Sequence, residues 1–432
     1  MSTSYEGYEF IEEDGGISSY KMTGNGLNIL LAPQGAAPVS TFMITYRVGS
    51  RNEKPGETGA THFLEHMMFK GTERFSKKAG ETVFNVLQGR GAQVNATTWN
   101  DRTNYYELLP SEHLHLAIDI ESDRMRGLLL DPEEVKSERT VILNEFDRGE
   151  NEPLRKLYHS VWSTAFEAHP YHHPTIGWRS DIEQITPKGL RSFYDRYYWP
   201  NHATVSVIGG FDPQAVMSKI MECFGGIERG PEPQDISIRE PEQIGERRTS
   251  IRMTGGMPAI ILAFKSPPAA HDDTFALHMG SMILSSGKTS RLYRALVDSG
   301  LTSSQSAGAS SFRDEGLFTV FAMLTQTSTI EEVELAINAE LEKLATELVT
   351  DEEIQRALSK LEAQTLYARD GSFSLASQLN EAIASGDWKL HTQFLTRARL
   401  VTSEAIRSAA KRYFARDTKT VGVFEPKEVP VN

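Results

Sequence analysis

Cysteine is almost absent from this sequence of 432 residues, because Cys223 is its single example. A lone cysteine excludes an intrachain disulfide, and a reducing compartment is the natural expectation. Otherwise the composition is that of an ordinary globular protein, with 39% hydrophobic and 24% charged residues. A chain of this length exceeds what one hydrophobic core usually organises, so we expect two domains or two related halves.

Positive charge is also scarce, since 45 Lys and Arg stand against 58 Asp and Glu and give a net charge of −13. Nucleic-acid binding needs a clustered basic surface, so no nucleic-acid partner is expected. The first residues, MSTSYEGYEFIEEDGG, lack the basic and apolar regions of a secretory signal. No apolar run approaches the roughly 18 residues of a membrane-spanning helix. We therefore expect a cytoplasmic protein without a membrane span, although a processed precursor stays compatible with this sequence.

The pattern of strands and helices occurs twice along the chain. Residues 229–248 combine prolines, glycines and charges with weak hydrophobic periodicity, which is typical of a linker. Beyond them MPAIILAFKSP resembles the earlier APVSTFMITYR, about half a chain away. We predict an α+β protein of two related halves, each an antiparallel sheet packed with helices. The first domain would span 1–228 and the second 249–432, and only the first carries a cluster of ionisable residues.

That cluster is the segment THFLEHMMFKGT, residues 61–72, within a predicted helix that Thr58 would cap and Gly71 would end. On such a helix His62 and His66 lie one turn apart on one face, with Glu65 beside them. Two imidazoles one turn apart can bind one zinc ion, and a free carboxylate can take a proton from water. The alternative is a surface or core histidine pair without a metal.

A third zinc ligand has to come from elsewhere in the chain. The segment SERTVILNEFDRGENEP places Glu138 and Glu145 seven residues apart, so both lie on one face of a helix, two turns from each other. We interpret Glu145 as the third ligand and Glu138 as a group hydrogen-bonded to a ligand histidine. The alternative is a solvated helix face.

These motifs occur in the order H-x-x-E-H, then MFKGT, then GAQVNATTWNDRTNYY, then SERTVILNEF. In this order they resemble the pitrilysin or insulinase family of zinc metallopeptidases, and most of all its short bacterial members and the mitochondrial processing peptidase subunits. The resemblance implies one zinc ion per chain, held by His62, His66 and Glu145. It also implies that Glu65 is the catalytic base that activates a zinc-bound water and that Glu138 is a supporting acidic residue.

The same resemblance bears on the substrate. Asn95 and Ala96 match a segment that lies on a sheet edge near the zinc, where a peptide adds as a β-strand; the alternative for Asn95 is a turn or bulge residue. The implied activity is endopeptidase hydrolysis of short or unfolded peptides inside an enclosed chamber. A non-catalytic peptide-binding or structural subunit of the same fold is the alternative.

The second half departs from the family pattern at one place. Family members hold substrate with an arginine and a tyrosine seven residues apart, whereas the matching positions here are Leu296 and Ser303. Some members divide these roles between two chains. We therefore expect a heterodimer with a homologous chain that carries the Arg/Tyr pair, with a homodimer as the alternative. The physiological substrate and the cleaved bond do not follow from the sequence.

Overall fold

The computed structural model describes residues 4–35, 37–232, 236–368 and 371–427, with the side chain of residue 368 excepted. Counting only these residues, the chain forms two compact units, each assembled from three segments. Unit 1 contains Met1–Glu145, Pro174–Ser237 and Leu366–Thr392, and unit 2 contains Phe146–His173, Ile238–Thr365 and Gln393–Asn432. The units are interleaved in sequence, unlike the predicted domains 1–228 and 249–432, and that predicted division stays a prediction.

The chain up to residue 232 contains, in order, β1 (Tyr8–Asp14), β2 (Ile17–Met22), β3 (Asn28–Pro33), β4 (Val39–Tyr46), α1 (Ala60–Met67), α2 (Val83–Gln88), β5 (Gln93–Thr98), β6 (Thr103–Pro110), α3 (Leu114–Gly127), α4 (Pro132–Glu150), α5 (Pro153–Ala165), α6 (Arg179–Gln184), α7 (Pro187–Tyr197), β7 (Ala203–Gly209) and α8 (Pro213–Phe224). Proline opens α4 as the first helical residue, where its missing N–H costs nothing. The break between α3 and α4 therefore ends at Asp131-Pro132.

The chain from residue 236 onward contains β8 (Arg247–Met253), β9 (Ala259–Ser266), α9 (Asp273–Ser285), β10 (Thr302–Ala309), β11 (Gly316–Leu324), α10 (Ile330–Thr346), α11 (Asp351–Ala368), α12 (Ser372–Ser385), α13 (Lys389–Ala398), α14 (Ser403–Tyr413) and β12 (Lys419–Pro426). A π-helical turn covers Tyr293–Asp298. The described part of residues 225–246 contains neither helix nor strand, and the last two residues of the predicted linker 229–248 belong to β8. Among the described residues, no helix combines the length and the apolar character needed to cross a membrane.

In each sheet, a strand from later in the chain is inserted between two earlier strands. In unit 1 the strand order is β1-β2-β3-β7-β4-β6-β5, and in unit 2 it is β10-β11-β9-β12-β8. Strand β7 lies between β3 and β4, parallel to the first and antiparallel to the second. Strand β12 lies between β8 and β9 in the same way. A strand inserted between two antiparallel neighbours must run parallel to one of them, so each sheet has one parallel pair and is otherwise antiparallel. The matching insertions support two related halves.

The central strand of unit 1 is buried on both faces. On β4 the side chains of Phe42, Met43 and Ile44 are all at most 1% exposed, although neighbouring residues of a strand point to opposite sides. Met43 faces α12, where Leu375 and Leu379 belong to the same apolar cluster. Helix α3 contacts the same strand. The sheet is therefore covered by helices, as predicted for an α+β protein.

Unit 2 has an apolar core of its own. Its residues come from β9, β11 and β12 on the sheet side, and from α9, α10 and α14 on the helix side. Helix α5 packs against β8, β9 and β12 and forms a second cluster around Trp162 and Phe166. The fold-class prediction is thus confirmed for this unit as well.

Candidate metal centre

Helix α1 carries three of the predicted site residues, and its first turn is fixed from outside the helix. The backbone N–H groups of Gly59 and Thr61 donate to the two carboxylate oxygens of Glu53, each at 2.8 Å. The prediction that Thr58 caps the helix is wrong. Its hydroxyl donates to Asp181 Oδ2 at 2.7 Å, and Gly59, with φ of 87°, precedes the helix. Thr58 is therefore used to bind a neighbouring segment, and a buried glutamate supplies the cap.

Helix α4 brings the third donor to the same place. The carboxylate oxygen Oε2 of Glu145 lies 3.6 Å from Nε2 of His62 and 3.8 Å from Nε2 of His66. One ligand atom from each of the three residues lies within 4.8 Å of the other two. All three residues are partly buried. The structure thus brings together the three residues that the sequence suggested as ligands.

The spacing of these atoms fits a single zinc ion. Two ligand atoms about 2.0–2.1 Å from a tetrahedral zinc ion lie roughly 3.4 Å apart, close to the two nitrogen–oxygen separations. Those separations are longer than a hydrogen bond, so direct pairing of histidine with Glu145 does not explain them. Two imidazoles and one carboxylate are also a donor set that catalytic zinc sites use. The residues present therefore fit the metal that the sequence implies.

Glu138 orients one of the histidines. Nδ1 of His66 lies 2.8 Å from Oε1 of Glu138, and Lys70 forms an ion pair with the other oxygen. Donation from Nδ1 leaves the lone pair of Nε2 directed to the candidate ligand position. Burial opposes the charged form of His66, but the hydrogen bond to Glu138 and the nearby carboxylates outweigh it and raise its pKa. Burial likewise opposes ionised Glu138, yet contacts with His66 and Lys70 lower its pKa.

Glu65 lies between the two histidines along the helix but outside the group of three donors. Its Oε2 accepts a hydrogen bond of 2.8 Å from the hydroxyl of Thr98. Burial raises the pKa of Glu65, and the Thr98 hydrogen bond and the nearby His66 only partly offset that effect. A partly buried carboxylate with a raised pKa, beside a candidate metal position, is chemically suited to accept and return a proton.

The two predicted substrate-binding residues lie on β5. This strand forms one end of the unit 1 sheet, where Asn95 pairs with Tyr106 and Ala96 with Tyr105 of β6. Asn95 is exposed and Ala96 is buried, and α1 contacts the same strand. A peptide could pair with the outer edge of β5, but their assignment to substrate binding stays a prediction.

Comparisons with known proteins identify the family. The sequence profile described as "Insulinase (Peptidase family M16)" matches residues 29–178, and the profile described as "Peptidase M16 inactive domain" matches residues 184–361. The zinc protease PqqE of Helicobacter pylori is 31% identical over 411 residues, which are 93% of this chain and 90% of that protein. The chain belongs to peptidase family M16.

Other similar proteins agree with this assignment. A probable mitochondrial-processing peptidase subunit beta of Arabidopsis thaliana is 24% identical over 403 residues, 90% of this chain and 75% of that protein. The crystal structure of a protease from Helicobacter pylori superposes with a TM-score of 0.90 at 28% identity and covers 96% of this chain and all of that one. A Pseudomonas fluorescens structure described as a peptidase M16 inactive domain shares the fold, with a TM-score of 0.85 at 16% identity, covering 96% and 98% of the two chains.

Besides Glu53, sequence reasoning missed Lys70, Thr98 and Arg102 around this site. Lys70 follows His66 by four positions, so helical spacing alone could have placed it on the same face. Thr98 and Arg102 have no such local signal, because their contacts depend on how β5 and β6 meet α1 and α12. The guanidinium of Arg102 donates to the backbone carbonyl of Thr97 at 3.0 Å and to Glu381 Oε1 at 3.1 Å. The end of β5 is thereby tied to α12.

Proposed function

We propose that this chain is a zinc-dependent endopeptidase that hydrolyses short or unfolded peptides. In this proposal His62, His66 and Glu145 hold one zinc ion and Glu65 is the general base. The observation that carries it is the convergence of three donor atoms from α1 and α4, with a second, partly buried carboxylate, that of Glu65, beside them. The similarity to proteins named zinc proteases supports the same reading.

When bound, zinc would supply Lewis acidity, which polarises a peptide carbonyl and makes water a better acid near neutral pH. Side chains of this protein would transfer the protons and orient the ligands. Glu65 would take a proton from the attacking water and deliver it to the leaving amine. Glu138 would keep His66 in the tautomer that offers Nε2, with Lys70 holding Glu138 in turn. Burial around Glu65 limits competing hydrogen bonds from solvent.

The peptide would bind as an added strand along β5, next to Asn95 and Ala96. Main-chain hydrogen bonds give affinity without requiring a particular sequence, which suits unfolded peptides of varied composition. We further propose that the site works within a chamber enclosed together with a second chain. That part rests on the resemblance to two-chain family members.

The second chain would supply the missing Arg/Tyr pair. Leu296 is fully buried in the core of unit 2, so its position presents no side chain to a substrate. Ser303, on β10, is exposed but its hydroxyl is too short to replace a tyrosine. Both observations support a heterodimer with a homologous chain that has arginine and tyrosine seven residues apart.

Hydrolysis of a quenched fluorescent peptide library tests the activity. The wild-type chain and Glu65→Gln would be assayed alone and with the candidate partner, with chelator and then with zinc restored. We expect chelator-sensitive cleavage that depends on the partner. Glu65→Gln should lower kcat by roughly 10²–10⁴-fold, the usual contribution of a general base, while the zinc content stays at one ion per chain.

Other outcomes select other functions. Cleavage by the chain alone at the same rate would retain the peptidase and contradict the heterodimer. Peptide binding with zinc present but no cleavage under any condition would instead support a non-catalytic peptide-binding subunit. A loss of zinc in Glu65→Gln equal to the loss of activity would contradict the role given to Glu65.

A further inference from the structure

The carboxylate of Glu65 is held on one side by a residue outside its helix. The hydroxyl of Thr98 donates to Oε2 at 2.8 Å. A carboxylate carried by a helix can rotate about its terminal bond, and a fixed donor on one oxygen restricts that rotation. The other oxygen, Oε1, is then the one presented to a reacting water.

Thr98 has a well-defined place from which to do this. It is the last residue of β5 and pairs with Thr103 of β6. Residues two apart on a strand share a face, so Thr98 points to the side of buried Ala96, whereas Asn95 and Thr97 point to the other. The turn that follows is closed by a hydrogen bond of 2.9 Å from the Trp99 backbone N–H to the Arg102 carbonyl.

The side chain of Arg102 also holds the end of β5 in place. Arg102 is buried, and its guanidinium donates to the carbonyl of Thr97 at 3.0 Å and to Asn104 Oδ1 at 2.8 Å. The same guanidinium binds Glu381 of α12 through Nε at 3.1 Å. A planar guanidinium with several partners fixes the adjacent backbone closely. The backbone position of Thr98 is therefore held by the sheet and by α12.

We propose that Thr98 is a positioning residue for the peptidase reaction and sets the orientation of the Glu65 carboxylate. This inference rests on the proposed function, because Glu65 must be the base for its orientation to matter. In this proposal β5 has two roles: it binds the peptide, and its last residue, Thr98, orients the proposed base Glu65. Binding of the peptide and placement of the proton acceptor then share one rigid element.

The test compares Thr98→Val, which keeps the shape but removes the hydroxyl, with Thr98→Ser, which keeps the hydroxyl. Loss of a hydrogen bond to a charged group corresponds to roughly a 10- to 100-fold effect, and we expect that loss in kcat for Thr98→Val with KM within about twofold of wild type. Thr98→Ser should retain kcat within about threefold. Thr249→Val, which removes a hydrogen-bonded strand hydroxyl in unit 2, is the matched control and should match wild type.

Three further readouts do not depend on turnover. Zinc content should be the same in all four chains, because Thr98 does not belong to the donor group. In the metal-free chain labelled with ¹³C at the glutamate carboxyl carbons, the resonance that disappears in Glu65→Gln should shift in Thr98→Val and hardly move in Thr98→Ser. Thermal unfolding of each variant shows whether any loss of kcat comes from a damaged fold.

Wild-type hydrolysis with an equal kcat in Thr98→Val would overturn the positioning role and leave the proposed function intact. Equal losses in Thr98→Val and Thr98→Ser, or a rise in KM at constant kcat, would overturn it as well. If the wild-type chain hydrolysed no peptide even with zinc and the partner, the proposed function would fail and the positioning role with it.

Discussion

At the scale of single residues, Glu138 is the residue that orients His66 in the candidate metal site. It accepts from His66 Nδ1 and pairs with Lys70, so it sets both the tautomer and the ring orientation of a candidate ligand. We predict that Glu138→Gln weakens zinc binding by roughly 10- to 100-fold without abolishing it. Competition with a chelator of known affinity measures the change.

Glu133→Gln, on the exposed first turn of the same helix, is the control for that measurement. It removes a negative charge from α4 without touching a histidine. An equal loss of zinc affinity in both variants would mean that the general charge of α4, rather than the contact with His66, governs binding.

In unit 2, a bidentate ion pair joins Arg291 to Glu353, with contacts of 2.7 and 2.9 Å. The hydrogen bonds from Arg291 lower the pKa of Glu353 to about 2, against 4.5 for the ordinary side chain. A depressed acid pKa stabilises the fold above the unfolded value, and the benefit is lost as the pH falls from about 4.5 to about 2. We predict that Glu353→Gln costs roughly 2 kcal/mol of unfolding free energy at pH 7 and little at pH 2.

Urea unfolding at the two pH values measures this difference. Glu352→Gln changes the neighbouring glutamate, whose side chain is 84% exposed and pairs only with Arg356 among the described contacts. It should alter stability by less than about 1 kcal/mol at either pH. A constant cost of Glu353→Gln across the pH range would contradict the ionic origin of the effect.

At the scale of elements, helix α1 depends on a cap that is not local. Glu53 accepts two backbone N–H groups that would otherwise be buried without partners. We predict that Glu53→Ala lowers the unfolding free energy by roughly 1–3 kcal/mol and weakens zinc binding, because the first turn carries His62. Denaturant unfolding of the metal-free chain and a zinc titration give the two values.

Glu73→Ala removes an exposed glutamate beyond the end of α1 and is the control for that variant. Unchanged zinc affinity in a destabilised Glu53→Ala chain would show that the cap supports the fold without shaping the metal site.

Spacing within single elements could be predicted from the residues, whereas contacts between elements could be predicted only where the family resemblance supported them, as for Glu138 and Glu145. The four-residue step from His62 to His66 and the seven-residue step from Glu138 to Glu145 are helical repeats, so their shared faces follow from the sequence. The sequence motif also placed Glu65 correctly on α1. Glu53 and Thr98 reach α1 from other segments, and their contacts depend on the packing of a loop and an edge strand against the helix. No periodicity in the sequence indicates such contacts between elements.

At the scale of the whole molecule, the candidate metal donors belong entirely to unit 1, on α1 and α4. A ligand that binds only the folded state stabilises what it contacts, by about 2.7 kcal/mol when present at 100 times its Kd. We predict that zinc slows hydrogen exchange in α1 and in residues 132–145 of α4 and changes it little in β9 and β11. Mass spectrometry of the metal-free and zinc-loaded chains measures this pattern.

A general slowing of exchange in both units would contradict a site confined to unit 1. Because the donors sit on helices already packed in a core, removal of zinc should also leave the far-ultraviolet circular dichroism spectrum unchanged. Loss of helical signal on chelation would show that the metal is needed to form the fold.

The helix that packs on the unit 1 sheet, α12, is synthesised long after the strands that it contacts. Helix α12, which packs on β4 and β7, begins 163 positions after β7 ends. At about 5–20 residues per second, the growing chain needs roughly 8–30 s to supply it. For that time the apolar side chains around Met43 and Ile208 have no partner from α12. A nascent chain of this protein should therefore be a strong client for ribosome-associated chaperones until residue 385 has emerged.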